Sequence, residues 1–326
     1  MIEVKDLTKR FENLVAVDKL NFAAQPGEVF GLLGPNGAGK TTTLHMLCTI
    51  LKPSSGTAIV NGFDINKDPS HVRKSIGIIF QEPSIDDRLT GRENLEMHAN
   101  LYGVPRNVQK RRIDEVLELV ELADRADSLM KTYSGGMRRR LEIARALIHY
   151  PKVLFLDEPT LGLDPQTREH VWQYIMELSK REEITMILTT HYMEEADKLC
   201  DRIAIIDSGK IIALDEPKKL KDELEGDVIS VKTEAVSELS DRLIKAKLTK
   251  DVRPLEGELE LVVKGGDTLV PRIVEIAAGA GIRIDSMSLR EPTLEDVFLH
   301  YTGRKMRTEG AEEYRGLAAV RRRRTR

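Results

Sequence analysis

Nine residues, GPNGAGKTT at 34–42, carry the densest chemical signal in the chain. They fit G-x-x-x-x-G-K-[ST], a spacing that cradles phosphate oxygens when it follows a strand and opens a helix. Both neighbours comply, since VFGLLG at 29–34 reads as a buried strand and 39–51 has helical period. Gly34, Gly37 and Gly39 let the backbone turn and bring amide N–H groups toward phosphate, with Pro35, Asn36 and Ala38 completing the loop and the positive end of the helix behind it. Lys40 is expected to reach the β- and γ-phosphates of a nucleotide. Thr41 is placed to ligate Mg²⁺ through its hydroxyl, and Thr42 to donate to a phosphate from the first helical turn. A Gly-rich turn with no ligand needs neither the lysine nor the hydroxyl at these positions, so nucleotide binding is the reading.

VLFLDEP at 153–159 is a second landmark, an apolar strand ending in Asp157 and Glu158. Many strands end in carboxylates, but beside a phosphate loop the pair gains a role. A Mg²⁺ bridging phosphates needs a carboxylate from a neighbouring strand, which Asp157 suits, and Glu158 then stands where it polarises an attacking water.

The elements that position these groups are legible as well. Short β-branched runs at 29–34, 76–80, 153–157, 185–190 and 202–207 read as buried strands, and helix-period segments at 39–51, 92–102, 107–122, 135–149 and 166–181 lie between them. Alternating strands and helices predict a mostly parallel sheet flanked by helices. IEVKDLTKRF and LVAVDKLNFAA alternate apolar and polar residues, which predicts a small antiparallel layer ahead of the core. Residues 82–150 lack a convincing strand and predict an inserted helical subdomain, about 86–150. After 214–220 the rhythm changes to alternating 227–234 and 258–265, helical 236–247 and 267–279, then a strand at 282–288. The expected division is 1–218, a small α+β unit at 219–304, and a basic, disordered tail at 305–326.

Composition sets limits. Hydrophobic residues make 41% and charged residues 32% of 326, which excludes a chain disordered throughout. The net charge is −3, so nothing global points to nucleic acid. Residues 304–326 hold nine basic and three acidic side chains, and the rest of the chain is acidic. Cys48 and Cys200 form neither a metal set nor a disulfide framework and read as buried thiols in a reducing cytoplasm. No run approaches the roughly 18 apolar residues of a membrane-spanning helix, and MIEVKDLTKR lacks a signal peptide's apolar centre.

With YSGGM at 133–137, about twenty residues before the acidic strand, the sequence resembles an ATP-binding cassette (ABC) ATPase, whose signature loop is usually LSGGQ. Tyr133 and Met137 replace its end residues, while Ser134, Gly135 and Gly136 remain. Ser134 reads as an N-cap, so the loop is a second helix N-terminus suited to phosphate. Other stations match in order: Gln81 the Q-loop, LGLD at 161–164 with Asp164 the D-loop, His191 the switch histidine, and Phe11 the aromatic that stacks on adenine. The resemblance covers about 1–218 and implies a P-loop NTPase core: a RecA-like, mostly parallel sheet with an antiparallel layer and a helical subdomain. It implies ATP and Mg²⁺ as ligands, with Thr41, Asp157 and Gln81 toward the metal, Glu158, His191 and Lys40 in catalysis, and the signature loop of a second cassette closing each site.

Residues 290–303, REPTLEDVFLHYTG, contain PTLEDVFL, similar to the PSLEDVFL of drug-resistance-type (daunorubicin-resistance-like) exporter ATPases serving ABC-2 permeases. As structure the segment reads as an amphipathic helix capped by Thr293. The resemblance implies export through a separate integral-membrane permease, with the chain peripheral at the cytoplasmic face of the membrane. That permease is expected to dock near Gln81 and residues 82–94. A soluble cassette powering an assembly machine shares the same catalytic residues and is the alternative. Import is the less favoured transport reading, because importer extensions are typically longer than the roughly 85 residues here. RRRR at 321–324 reads as a solvated end, with anionic lipid as the sharper option.

Overall fold

The computed structural model describes residues 1–306 apart from 82, 83, 183, 225, 247, 249–251, 256 and 305, and only the backbone of 181, 182 and 253–255. The expected basic tail lies outside the described residues, Met306 excepted. The chain divides into two compact units, the first Met1–Glu216 and the second Pro217–Lys305.

In the first unit, β1 (Ile2–Phe11), β2 (Leu14–Ala24), β4 (Ser55–Val60) and β5 (Phe63–Asp64) form an antiparallel layer in the order β2-β1-β4-β5. A six-stranded sheet carries the core. It joins β3 (Val29–Leu33), β6 (Ile76–Ile79), β7 (Val153–Asp157), β8 (Thr185–Thr190), β9 (Arg202–Asp207) and β10 (Lys210–Asp215) in the order β10-β9-β3-β8-β7-β6. All neighbours pair parallel except β10, antiparallel on β9. Every residue of β3, β7 and β8 is buried, which is why these strands read as unbroken apolar runs. β4, β5 and β10, short and half-exposed, gave no comparable signal. The register places Leu33 opposite Thr190 and Asp157 opposite Thr189, so the segments that follow β3, β7 and β8 leave one edge of the sheet together.

Helix α1 (Lys40–Leu47) follows β3, and α2 (Pro69–Ser75) precedes β6. Between β6 and β7 the chain leaves the sheet to form α3 (Gly91–Leu101), α4 (Arg106–Leu119) and α5 (Gly135–Leu147). The Thr90 hydroxyl accepts from the Glu93 amide while the Glu93 carboxylate accepts from the Thr90 amide, a reciprocal cap that fixes where α3 begins. Helices α6 (Pro165–Glu182) and α7 (Met193–Leu199) complete the unit. No described helix is long and apolar enough to cross a membrane. Cys48 and Cys200 are buried free thiols.

The second unit is an antiparallel sheet of β11 (Asp227–Lys232), β12 (Val252–Leu255), β13 (Glu258–Val263) and β14 (Ser286–Arg290), ordered β12-β13-β11-β14. Among the described residues four helices accompany it: α8 (Pro217–Asp222), α9 (Val236–Lys245), α10 (Gly266–Gly279) and α11 (Leu294–Thr302). Its own core joins Ile229, Val231, Leu259 and Leu261 to Leu239, Leu243, Ile273 and Ala277. The strand expected at 282–288 starts later, at Ser286. Ile282 and Ile284 pack on that core ahead of the ladder, so their alternation marks burial rather than strand pairing.

The PTLEDVFL segment is α11 with its cap. Asp296 is 3% exposed. Its carboxylate accepts from the Thr293 amide at 2.7 Å, the Thr293 hydroxyl at 2.8 Å and Arg290 Nη2 at 2.8 Å. Leu294, Val297, Phe298 and Leu299 bury the apolar face. Burial by itself would raise the Asp296 pKa, but Arg290 and the two Thr293 donors outweigh it and hold the carboxyl below its ordinary value. A carboxyl whose folded pKa is depressed contributes stability above its unfolded pKa and loses it as pH falls through the folded value. Asp296→Asn should therefore destabilise this unit by about 2 kcal/mol at neutral pH. It should also flatten the loss of protection as pH falls below about 4, read by hydrogen exchange of residues 227–302.

Candidate functional site

The loop after β3 is shaped by contacts that only glycine tolerates at two places. A Cβ on Gly34 would lie 2.1 Å from the Ile206 carbonyl oxygen, and Gly39 takes φ +103°. The turn closes on itself through the Ala38 amide to the Pro35 carbonyl at 3.1 Å, and Gly209 donates to the Ala38 carbonyl at 3.0 Å. Gly39 precedes α1 with no side-chain cap, so the first-turn amides at Lys40, Thr41 and Thr42 form a helix N-terminus suited to an anion.

Lys40 is 4% exposed and lies back across the loop. Its Nζ donates to the carbonyls of Gly34 at 2.8 Å and Pro35 at 3.2 Å and faces Glu158 Oε1 at 3.4 Å. Burial lowers its pKa, opposed by the Glu158 and Asp157 charges. On the other side of Glu158, His191 Nδ1 lies 2.9 Å from Oε2. Burial by itself would raise the Glu158 carboxyl, but the His191 hydrogen bond and the Lys40 charge hold it below the ordinary value. Glu158 therefore stays ionised although it is 8% exposed. Its backbone is left-handed, φ +47°, and its amide donates to Thr189 at 3.1 Å.

Asp157 Oδ1 accepts from Thr41 Oγ1 at 3.0 Å and from Thr189 Oγ1 at 2.5 Å. A hydroxyl and a carboxylate from two elements thus meet beneath the phosphate loop, an all-oxygen pair that suits Mg²⁺. No group of three or more His, Cys, Asp or Glu is set to hold a metal among the described residues.

Lys40, Thr41, Glu158 and His191 line a cleft of about 890 Å³ together with Asn36, Gly37, Gly39, Thr42, Gln81, Phe11 and Leu14, while Asp157 reaches it only through Thr41. The Phe11 ring is 43% exposed, with Lys9 Nζ 5.0 Å from its centroid. Pro35 and Ala38 shape the loop from behind, through the turn they close.

Residues 133–137 do not line this cleft. Ser134 Oγ accepts from the Met137 amide at 3.3 Å and caps α5. Ser134, Gly136 and Met137 open on a second cleft of about 280 Å³ with Arg140, Thr167 and His170. A Cβ on Gly136 would meet Thr167 Cγ2 at 2.6 Å, so this glycine lets α5 and α6 approach. Gly135 begins the helix. Tyr133 turns inward, its hydroxyl donating to the Arg125 carbonyl at 2.6 Å, so its side chain packs into the helical subdomain and lines neither cleft. Asp164 accepts from the Thr167 amide at 3.0 Å and the Thr167 hydroxyl at 2.6 Å, fixing the start of α6.

Sequence reasoning missed Thr189, whose hydroxyl fastens Asp157 and receives the Glu158 amide; only its place at the end of a buried strand hinted at it. It also missed Glu195, buried on α7, which accepts from Thr160 at 2.6 Å and Trp172 at 2.9 Å. Burial raises its pKa against those donors.

Comparison with known proteins identifies the family the chain resembles over both units. Residues 17–161 match the ABC transporter family model, and 216–302 match the C-terminal domain model of the DrrA1-3-like ATP-binding proteins. The chain is 40% identical over 316 residues to the daunorubicin resistance ATP-binding protein DrrA2 of Streptomyces coeruleorubidus, covering 96% of this chain and 98% of that protein. It is 38% identical over 313 residues to the linearmycin resistance ATP-binding protein LnrL of Bacillus subtilis, covering 94% and 100%. The Nod factor export ATP-binding protein I of Cupriavidus metallidurans is 38% identical over 316 residues, covering 94% and 99%. Among solved structures, an ATP-binding subunit of an ABC transporter superposes with TM-score 0.61 at 28% identity, over 69% of this chain and 93% of that one. The ATP-binding cassette MJ0796, a dimer bound to ADP and Pi, superposes with TM-score 0.59 at 27% identity, over 66% and 98%.

Thr189→Val keeps the shape of the strand end and removes the hydroxyl that fastens Asp157. The Mg²⁺ concentration giving half-maximal ATP turnover should rise about tenfold, and a titration that matches the parent's would remove Thr189 from the site.

Proposed function

The chain belongs to the ATP-binding proteins of ABC transporters and is an ATPase, and from that premise we propose that two copies close head to tail on two Mg-ATP to drive export through a separate ABC-2-type permease. The observation that carries the reading is the separation within one chain of its two phosphate-suited helix N-termini. One, at Lys40, holds the acidic groups; the other, at Ser134, opens on a different cleft. Neither site is complete alone, whereas a second copy supplies Ser134, Gly135 and Gly136 to the Lys40 cleft. The dimeric cassette MJ0796 supports this arrangement by analogy.

Lys40 is engaged by Glu158 and by two loop carbonyls. Arriving β- and γ-phosphates draw its ammonium toward them, with the amides at the start of α1 as further donors. Glu158, released on that side and still held by His191, accepts the proton of a water whose oxygen attacks the γ-phosphorus. The bond to the β–γ bridging oxygen breaks, and ADP and phosphate leave. Thr41 and Asp157 would hold Mg²⁺, with Gln81 beside it; the ion, when bound, neutralises charge on the β and γ oxygens. Phe11 stacks on adenine.

The transport half of the proposal is supported by relatives named for resistance and export, and by the second unit matching the C-terminal model of such proteins. These favour a permease over an assembly machine as the partner. The groove beside Gln81 and 84–94 is the docking surface in this reading, and membrane association follows from it.

Lys40→Ala should abolish measurable ATP binding. Glu158→Gln should reduce turnover by more than about 10²-fold yet retain ATP, shifting the chain to twice its mass on size exclusion with Mg-ATP. Copurification of the Glu158→Gln chain from gently solubilised native membranes should yield a multispanning protein, and a purely soluble partner set would discard export.

A further inference from the structure

Three buried charged side chains recur at three-residue spacing along one face of α5: Arg139 at 7% exposure, Glu142 at 1% and Arg145 at 9%. Buried charge is costly unless its hydrogen bonds are met, so what these groups touch identifies what they hold. Arg139 Nε donates to the Pro159 carbonyl at 2.6 Å and Nη1 to the Phe80 carbonyl at 2.7 Å. Its Nη2 reaches the Glu158 and Asp157 carbonyls at 3.4 and 3.5 Å, and Glu142 balances the charge at 2.8 Å. The second oxygen of Glu142 accepts the Ser84 amide at 3.0 Å, and Arg145 donates to the Ser84 carbonyl at 3.0 Å and hydroxyl at 2.7 Å.

The backbone acceptors of Arg139 thus belong to two short segments. One is the turn that carries Glu158, and the other is the residue before Gln81. Glu158 sits at φ +47°, a region that a residue with a side chain occupies only when its surroundings fix it there. Thr189 fixes the amide side of that residue, and the Arg139 fork fixes the carbonyl side and the proline that follows. A planar guanidinium spans acceptors from two segments at once, which a point-like ammonium does less well.

We infer that Arg139 is a positioning residue for hydrolysis: from the signature helix it fixes the backbone that aims the Glu158 carboxylate into the cleft, and ties that backbone to the segment entering Gln81. It touches neither nucleotide loop nor reacting atoms, so its effect falls on turnover rather than on binding. The inference rests on the assignment of Glu158 as the group that takes the water proton.

The test uses the full chain with Arg139→Met, Arg139→Lys, and Arg139→Met combined with Glu142→Met, which removes the charge pair whole and guards against a variant that fails to fold. Mg-ATP turnover is measured for each. ATP affinity is measured by calorimetry in a Glu158→Gln background. Arg139→Met and the double variant should lower kcat at least about tenfold, with affinity within about twofold of the parent's. Arg139→Lys should recover part of the loss. A folded double variant with unchanged kcat would overturn the role, as would a loss of kcat matched by an equal loss of ATP affinity. Glu158→Gln measured alongside separates the two assignments. If it fails while Arg139→Met turns over normally, only the positioning role falls; if it hydrolyses ATP normally, the base and the positioning fall together.

Discussion

A lysine and a glutamate, both more than nine-tenths buried, face each other at 3.4 Å at the edge of a parallel sheet, and most of the first unit serves that encounter. Neither charge is tolerable there alone, because a bare buried ion costs several kcal/mol. Lys40 is met by two loop carbonyls and Glu158 by His191, so the five groups form one compensated set. Holding them requires three segments to arrive at one place: the loop after β3, the turn after β7 and the residue after β8. Parallel strands with their carboxyl ends at a common edge are the simplest frame that does so. The apolar residues of β3, β7 and β8 are what allow that frame to be buried on both faces.

What was legible in the sequence follows from this constraint. The GPNGAGKTT loop could be read because a phosphate cradle leaves little freedom in residue type at Gly34, Gly39, Lys40 and Thr41. The strand positions could be read because their burial leaves no polar residue within them until the functional ends. The capping role of Ser134 was visible for a similar local reason. Elements whose signal is weak were missed: β4, β5 and β10 lie at edges or in a half-exposed layer, and the strand at Ser286–Arg290 was displaced by two isoleucines buried ahead of it.

Other residues were illegible in kind. GGMRRRLEIARAL reads as a polar helix with an apolar face, and nothing in it says that Arg139 points at carbonyls rather than at water. An arginine's target lies on other segments, remote in sequence, so its meaning appears only when the fold brings residues 80, 84 and 157–159 beside α5. Thr189 is the same case, one hydroxyl among two threonines at a strand end. Tyr133 is the converse, a residue whose place in the signature loop suggested a ligand contact and whose hydroxyl is hydrogen-bonded to the Arg125 carbonyl inside the subdomain.

The helical excursion between β6 and β7 has a bearing on descent. β6 and β7 are neighbours in register, Ile76 beside Val153, yet the whole of α3, α4 and α5 is strung between them. The excursion is therefore an overgrown crossover whose two ends are pinned to adjacent strands. Its outer surface can change in sequence while the strand ends at the cleft stay in place.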